Sequence, residues 1–268
     1  MAEFRGASAD ALQALSGELR GVGQADLARV GGDLFAVAGI LRSEPALRRV
    51  VTDVSVAPEA KQGLVRQILG GRLSEPAVAL VAQAVAQRWT AGRDLADAVE
   101  RLGEIATVRS AGDQGDRLEN ELFEVGQLVK ADPALRDAFS DPARSSADKA
   151  RLVDDLLASK ALPATVALVR QALTGSYRTV GVALATYERV AADVNGERVA
   201  TVTVAKPLAD ADRSRLADVL SRQYSRPVHL NVVVDPSVIG GVLVEIGDDI
   251  IDGTVVGRLD TARRRLAG

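Results

Sequence analysis

Acidic residues and glycines are concentrated in one stretch near the C-terminal end of the chain, VDPSVIGGVLVEIGDDIIDGT at residues 234–254. Closely spaced carboxylates can coordinate a calcium ion, and glycine-rich loops can present backbone N–H groups to a phosphate. A calcium loop requires alternating Asp or Asn ligands, then a glycine, and a glutamate at its twelfth position. The run from Asp248 to Gly253 lacks this spacing, so the sequence does not predict a metal site here.

The glycines in the same stretch do not match a phosphate-binding loop either. Their spacing fits neither common nucleotide-binding pattern, and the residues after them predict a strand instead of a helix. Glycine and aspartate tolerate the left-handed backbone conformations of tight turns. We therefore predict a hairpin with strands at 241–246 and 250–256 and a turn at 247–249, preceded by another turn at 235–237.

The rest of the chain offers few residues for catalysis. It contains no cysteine and one histidine, His229, which we expect at the surface or on an edge strand. Trp89 and Tyr177 are interpreted as equivalent helix positions in a bundle core, and Arg263-Arg264-Arg265 as cations that complement a helix dipole. The net charge of −3 gives no electrostatic reason to expect nucleic acid. We expect no catalytic residue, no cofactor and no metal ion.

A mostly helical chain must position these features. Apolar residues recur at spacings of three and four across residues 8–193. Ser43-Glu44-Pro45 and Ser74-Glu75-Pro76 each predict a helix start, with serine as the N-cap and proline in the first turn. The longest uncharged run, Pro76 to Gln87, is far shorter than the ~20 residues of a membrane-spanning helix. Because the N-terminus also lacks the layout of a signal peptide, we expect a soluble, cytoplasmic chain.

An internal repeat organises the helical part. A shift of 88 residues aligns SEPALRRV at 43–50 with ADPALRDA at 131–138. The same shift aligns VALV at 78–81 with VALV at 166–169. Because this one offset continues through most of the helical region, we predict a duplicated helical bundle.

The hydrophobic period changes from helical to alternating after the turn dipeptide Asn195-Gly196. Strands are predicted at 198–205 and 228–234, with a helix between them at 210–223. The predicted fold class is α+β and mostly α, with two repeated helical bundles followed by a small α/β domain. The predicted domains are 1–111 for the first copy of the bundle, 112–195 for the second copy and 196–268 for the C-terminal domain.

The segments VDPSVIGG at 234–241, GD at 247–248 and DGTVVGRL at 252–259 form one long pattern. This pattern resembles the C-terminal signature of the delta subunit of F-type ATP synthases, whose mitochondrial counterpart is the oligomycin-sensitivity-conferring protein. Residues 132–157 also resemble the helical domain of this family. The resemblance implies a structural and docking role for the signature residues, which are Asp235, Pro236, Ile239, Gly240, Gly241, Gly247, Asp248, Asp252, Gly253, Gly257, Arg258 and Leu259.

The resemblance implies a non-catalytic stator subunit of a proton-translocating ATP synthase. In this family a helical bundle grips the N-terminal segments of the alpha subunits of the catalytic head. The C-terminal domain holds the b-type subunits of the peripheral stalk, so that rotation is coupled to ATP synthesis. The implied location is peripheral, on the cytoplasmic face of the cell membrane, with membrane contact only through the complex.

This chain departs from the usual family pattern because it has two helical bundles instead of one, which resembles an actinobacterial arrangement. Small apolar residues on a bundle allow a partner helix to approach closely. Two alternatives remain open from the residues alone: a generic helical-repeat scaffold with a regulatory α/β tail, and a tail that binds or converts a small ligand. The residues predicted to line a groove for a partner helix are Leu12, Leu15, Leu19, Val78, Val81 and Val85.

Overall fold

The computed structural model describes residues 4–238, 240–247 and 249–255. The chain divides into two compact units, with the boundary between Ala191 and Ala192. The first unit is helical and the second contains a mixed β-sheet, so the prediction of a mostly α-helical α+β chain is confirmed. None of the helices in the described ranges is both long and apolar enough to cross a bilayer.

The helical region begins with one helix that precedes the repeated sets, and two sets of five helices follow it. The bounds are α1 (Ala7–Leu19), α2 (Leu27–Ser43), α3 (Pro45–Thr52), α4 (Pro58–Leu69), α5 (Glu75–Ala86), α6 (Gly92–Arg109), α7 (Gly115–Ala131), α8 (Pro133–Ser140), α9 (Ser146–Leu157), α10 (Pro163–Thr174) and α11 (Val180–Asn195).

The duplication seen in the sequence is also present in the helix boundaries. Each helix from α7 to α11 begins 88 residues after its counterpart from α2 to α6, and the first four pairs also end at the same offset. We call α1–α6 the first copy and α7–α11 the second copy. The predicted bundle boundary at 111/112 falls between α6 and α7, and the predicted domain bounds stay predictions.

Each copy has its own hydrophobic core of leucine, valine and alanine. Leu34, Leu80 and Leu102 are buried in the first copy, and Leu122, Leu168 and Leu184 are buried in the second. Proline at the start of α3, α4, α5, α8 and α10 fits the first helical turn, where no backbone N–H partner is lost. The 3.6-residue apolar period therefore buries one face of each helix.

Two details of the predicted helix starts need correction. Ser43 is the last residue of α2 and not the N-cap of α3, because Glu44 takes that position and the Ser43 hydroxyl donates back to the carbonyl oxygen of Ile40. Ser74 is the N-cap of α5, but its side chain makes no capping hydrogen bond. Its hydroxyl instead donates to the carboxylate of Asp33 on α2.

Trp89 and Tyr177 lie in loops, and not in helices as predicted from the repeat. Trp89 follows α5 and Tyr177 follows α10, so the two positions are equivalent in the duplication. The prediction that both pack against a bundle core is confirmed, with Trp89 half-buried against the first core and Tyr177 buried in the second. The Trp89 indole N–H donates to the carbonyl oxygen of Ala84, which fixes the ring at the end of α5.

In its described residues, the second unit carries a four-stranded mixed sheet and one α-helix. Its elements are β1 (Arg198–Val204), α12 (Asp210–Tyr224), β2 (Val228–Val234), β3 (Val242–Ile246) and β4 (Asp249–Asp252), and the strand order is β2-β1-β3-β4. Strands β1 and β2 are parallel, and the other two pairs are antiparallel. The predicted strand at 250–256 is shorter than expected, and Arg263-Arg264-Arg265 lie outside the described residues.

The core of this unit lies between α12 and one face of the sheet. Alternate residues of β1, namely Ala200, Val202 and Val204, are buried and pack with Leu220 of α12. This is the period of two that the sequence pattern predicted. His229 lies on β2, which is an edge strand, and it is half-buried.

Candidate functional site

The glycines at 240–241 allow two backbone segments of the tail to cross closely. Gly240 and Gly241 have φ values of +63° and +85°, a region that residues with a side chain rarely adopt. A Cβ atom on Gly241 would overlap the carbonyl oxygen of Gly253. The Gly253 N–H donates to Val242 at 2.9 Å, and the Val255 N–H donates to Gly240 at 3.1 Å. The close backbone crossing therefore accounts for these glycines, and a phosphate-binding role is not needed to explain them.

Two aspartates of the stretch hold turns through their own side chains. One Asp235 carboxylate oxygen accepts from the Ser237 N–H at 2.9 Å. Asp252 Oδ1 accepts from the Thr254 hydroxyl at 2.7 Å and from the Thr254 N–H at 2.9 Å. These two donors hold the pKa of Asp252 below its usual value. Both turns are of the kind that aspartate commonly forms with the backbone two residues later.

Asp249, another acid of this stretch, also has a structural contact. It accepts a hydrogen bond of 3.1 Å from the hydroxyl of Tyr224, and the guanidinium of Arg198 lies 5.4 Å from the centre of the Tyr224 ring. Within the described part of 234–254, no three acidic or histidine ligands come together as a metal site would require. Ile239, Asp248, Gly257, Arg258 and Leu259 of the predicted signature lie outside the described residues.

Strand β4 is the other edge of the sheet and carries exposed apolar side chains. Ile250 is 67% exposed and Ile251 is 37% exposed. Isoleucine at an exposed edge is less common in monomeric proteins than charged residues, which protect edges from pairing. This edge of the tail is therefore a candidate contact surface.

The six residues predicted to line a partner-helix groove lie mainly in the core of the first copy. Leu15 and Leu19 of α1 and Val78, Val81 and Val85 of α5 are buried, and Leu12 is half-buried. The leucines lie on α1 and the valines on α5, and these two helices pack on each other. Their role in binding a partner stays a prediction.

An open apolar cleft lies next to part of this set, between α2, α3, α4 and α5. Its volume is about 180 Å³. Val81 and Val85 line it, and at its rim Ile40 is 42% exposed and Ile68 is 39% exposed. Arg72 is the charged residue among its lining side chains. The sequence alone did not indicate this cleft, because its walls come from four helices that are distant along the chain.

The second copy differs from the first at one wall of this cleft. Val51 lines the cleft on α3, and the equivalent residue on α8 is Phe139. The Phe139 ring is buried in the core of the second copy. Phenylalanine is larger than valine, so the second copy carries a bulkier buried side chain at this position.

A cluster of buried polar groups joins the two copies. Glu100 on α6 is fully buried, and Arg42 of α2 donates to its carboxylate at 2.5 Å. From the second copy, Gln171 donates to the same carboxylate at 2.6 Å, and Ser176 donates through its hydroxyl at 2.5 Å and its N–H at 3.1 Å. One carboxylate therefore receives donors from both copies.

A second buried acid, Glu104, lies one turn further along α6. It forms an ion pair with Arg101 at 2.7 Å and accepts from the hydroxyl of Tyr177 at 2.8 Å. Burial raises the pKa of Glu104 to about 7, against the opposing effect of Arg101 and Tyr177. Burial also raises the pKa of Tyr177, so this phenol stays protonated and acts as the donor.

This cluster is only partly visible in the sequence. The 88-residue offset aligns Glu100-Arg101 with Glu188-Arg189, but the alignment does not indicate that Glu100 is buried. What distinguishes Glu100 is that α6 is covered on several sides, with eleven buried residues. That coverage depends on the packing of the second copy and cannot be deduced from the periodicity of α6 alone.

Comparisons with known proteins agree with this architecture. The family model described as ATP synthase delta (OSCP) subunit matches residues 105–266, which include the second copy and the tail. A protein of a Nocardioides species called "ATP synthase subunit delta" is 57% identical over 271 residues, covering 100% of this chain and 98% of that protein.

Other relatives with the same name are similar over nearly their full length. The protein from Kineococcus radiotolerans is 45% identical, covering 97% of this chain and 95% of the relative. The protein from Streptomyces coelicolor is 39% identical, covering 100% of both. On the family match and these identities, this chain belongs to the ATP synthase delta (OSCP) subunit family.

Proposed function

We propose that this chain is a non-catalytic stator subunit of a proton-translocating F-type ATP synthase. In this proposal it connects the catalytic head, through the N-terminal segments of the alpha subunits, to the b-type subunits of the peripheral stalk. The connection prevents the head from turning with the rotor, so that rotation drives ATP synthesis. The single observation that carries the proposal is membership of the delta (OSCP) family over the second copy and the tail.

The match to residues 105–266 supports assigning different contacts to the first copy and to the second copy with the tail. The second copy and the tail follow the order of the ordinary family member, so we assign them the contacts with the head and with the distal end of the stalk. The exposed isoleucines of β4, Ile250 and Ile251, give the tail an apolar edge for such a contact.

The first copy is assigned an additional contact with a stalk helix. Its cleft between α2 and α5 is lined by aliphatic side chains, with Arg72 as a charged group. A helix that presents apolar residues on one face can bury them in such a cleft, as in other helix-in-groove complexes. The buried Phe139 on α8 supports assigning this contact to the first copy and not to the second.

The proposal assigns the acids and glycines of residues 234–254 to holding the docking domain in shape. Asp235 and Asp252 are engaged in turns, and Gly240-Gly241 permit a backbone crossing. The chain would be peripheral, on the cytoplasmic face of the cell membrane, and held there by the other subunits. The alternative of a scaffold unrelated to ATP synthases is inconsistent with the family membership.

The proposal can be tested by reconstitution. Membranes that carry the b-type subunits are prepared without this chain, and purified catalytic head is added with or without the full-length protein. We expect the head to bind to the membranes stably only when the chain is present. Equal retention of the head in its absence would contradict the proposal.

A further inference from the structure

Helix α6 belongs structurally to both copies of the bundle. It is the last helix of the first copy and the counterpart of α11, yet the 88-residue offset also places the counterpart of α1 within it. Eleven of its residues are buried, including Glu100 and Glu104, which are 0% exposed. A helix packed on two sides leaves no solvated face for these acids, so their partners must come from the protein.

The contacts of Glu100 and Glu104 with the second copy concentrate in one short loop. Ser176 and Tyr177, between α10 and α11, donate to Glu100 and Glu104 respectively. Gly175 precedes them, and a Cβ atom there would overlap Glu100 Oε1. The loop can approach the acids this closely only because Gly175 has no side chain.

We propose that Glu100, Glu104 and the loop at 175–177 form a proton-sensitive latch that holds the second copy against α6. The Glu100 carboxylate is held in place by hydrogen bonds from Arg42, Gln171 and Ser176. Glu104 is the part that titrates. This inference goes beyond the stator role and does not depend on it.

The groups facing Glu104 determine how the latch responds to pH. Arg101, on the same helix, and Arg42, on α2, favour its ionised form, as does the Tyr177 hydroxyl from the second copy. Glu100 opposes a second negative charge in the same buried site. Tyr187 of α11 completes the surroundings, with its ring edge-on to Tyr177 at 5.6 Å.

Closure of the latch is linked to protonation of Glu104. The pKa of Glu104 is about 7 when the latch is closed and returns towards 4.5 when the carboxyl meets water. The closed state therefore holds a proton that the open state releases, so closure is favoured at low pH and weakened as the pH rises through 7. Between pH 6 and pH 8 the opening equilibrium is expected to increase about tenfold.

The test is hydrogen exchange on the full-length protein from pH 6 to pH 8, corrected for the intrinsic effect of pH on exchange. We expect amides at 175–180 to lose about tenfold in protection over this range, with little change in the core of the first copy. In Glu104→Gln the new side chain keeps an acceptor for Tyr177 but cannot titrate. The pH-dependent loss of protection at 175–180 should therefore disappear in this variant. Glu124→Gln, at an exposed position on α7, is the matched control and should behave as the unmodified protein.

A second variant keeps the proposal falsifiable if Glu104→Gln fails to fold. Tyr177→Phe removes a donor that favours ionised Glu104, so the midpoint of the loss in protection should move to higher pH. A purely structural role for the hydroxyl would weaken protection equally at every pH. The latch would be refuted by a pH-independent opening of residues 175–180, or by an unchanged response in Glu104→Gln.

Discussion

Gly31 of α2 lies so close to Gly103 of α6 that a Cβ atom on Gly31 would be 3.2 Å from the Gly103 carbonyl oxygen. The same Cβ would overlap the hydroxyl of Thr107. A Cβ on Gly103 would in turn lie 2.8 Å from the ring of Phe35. The first copy is therefore built around a close approach of two helix backbones, which only residues without side chains allow.

The pair Gly31 and Gly32 gives a direct test of this packing. Gly31→Ala should destabilise the protein by about 1–3 kcal/mol, because the new methyl group overpacks the contact with α6. Gly32→Ala, one position along the same helix, meets open space and should stabilise by about 0.5–1 kcal/mol, since alanine is the better helix former. Urea unfolding measures both values. Equal effects of the two substitutions would contradict the assigned packing.

The backbone crossing in the tail can be tested with another pair of glycines. Gly241→Ala should unfold or strongly loosen the second unit, because the methyl group would overlap Gly253 and the residue has φ +85°. Gly247 has φ +59° but open space around it, so Gly247→Ala should cost only about 1 kcal/mol, the price of the left-handed conformation. Hydrogen exchange of β1 and β3 provides the measurement. If both variants keep the protection of the unmodified protein, the crossing is not required for the fold.

A carboxylate on one helix caps the start of another in each copy. Asp33 of α2 accepts from the Ser74 N–H at 2.7 Å, and the equivalent Glu121 of α7 accepts from the Leu162 N–H at 2.8 Å. Asp33→Ala should therefore cost about 1–2 kcal/mol, as for loss of a helix N-cap. Asp26 is the N-cap residue of α2 but makes no side-chain capping bond.

The substitution Asp26→Ala is accordingly the matched control for Asp33→Ala. It should change the free energy of unfolding by less than about 0.5 kcal/mol, as is usual for surface positions. Thermal unfolding followed by circular dichroism distinguishes the two results. A loss of stability in Asp26→Ala as large as that in Asp33→Ala would mean that the capping contact is not the cause.

The cleft of the first copy can be tested with two exposed apolar residues. Ile68→Arg places a charge at the rim of the cleft and should weaken binding of the b-type subunits by about tenfold or more, since an unpaired charge at an apolar contact is costly. Val50 is 47% exposed but is not part of the cleft lining, so Val50→Arg should leave binding unchanged. Titration calorimetry on the full-length protein measures both. If Ile68→Arg and Val50→Arg bind the b-type subunits with equal affinity, the cleft is not part of the contact with the stalk.

The sequence predicted the main elements well because their signals are local. The 88-residue offset was enough to predict the repeat, the alternation in 198–204 was enough for β1, and the turn residues at 235–237 were enough for the turn after β2. The helix start at Ser43 was predicted less accurately, because α2 continues through Ser43 and only Glu44 separates α2 from α3. Trp89 and Tyr177 were expected in helices because the offset matches positions and does not give their secondary structure.

The features that sequence could not supply all depend on tertiary packing. The cleft between α2 and α5 and the burial of Glu100 and Glu104 are formed by helices far apart in the chain. A pattern of period 3.6 identifies one apolar face per helix, whereas α6 is covered on several sides. The sequence identified Leu15 and Leu19 as one apolar face of a helix. Their burial in the first core depends on how α1 packs, which the sequence pattern does not show.

The most direct test of the stator role is ATP synthesis in inverted membrane vesicles that lack only this chain. We predict that vesicles without the chain lose proton-driven ATP synthesis, although the head still hydrolyses ATP. Addition of the full-length protein should restore synthesis, and addition of the Ile68→Arg variant should restore it less well. Undiminished synthesis in vesicles that lack the chain would contradict the assignment.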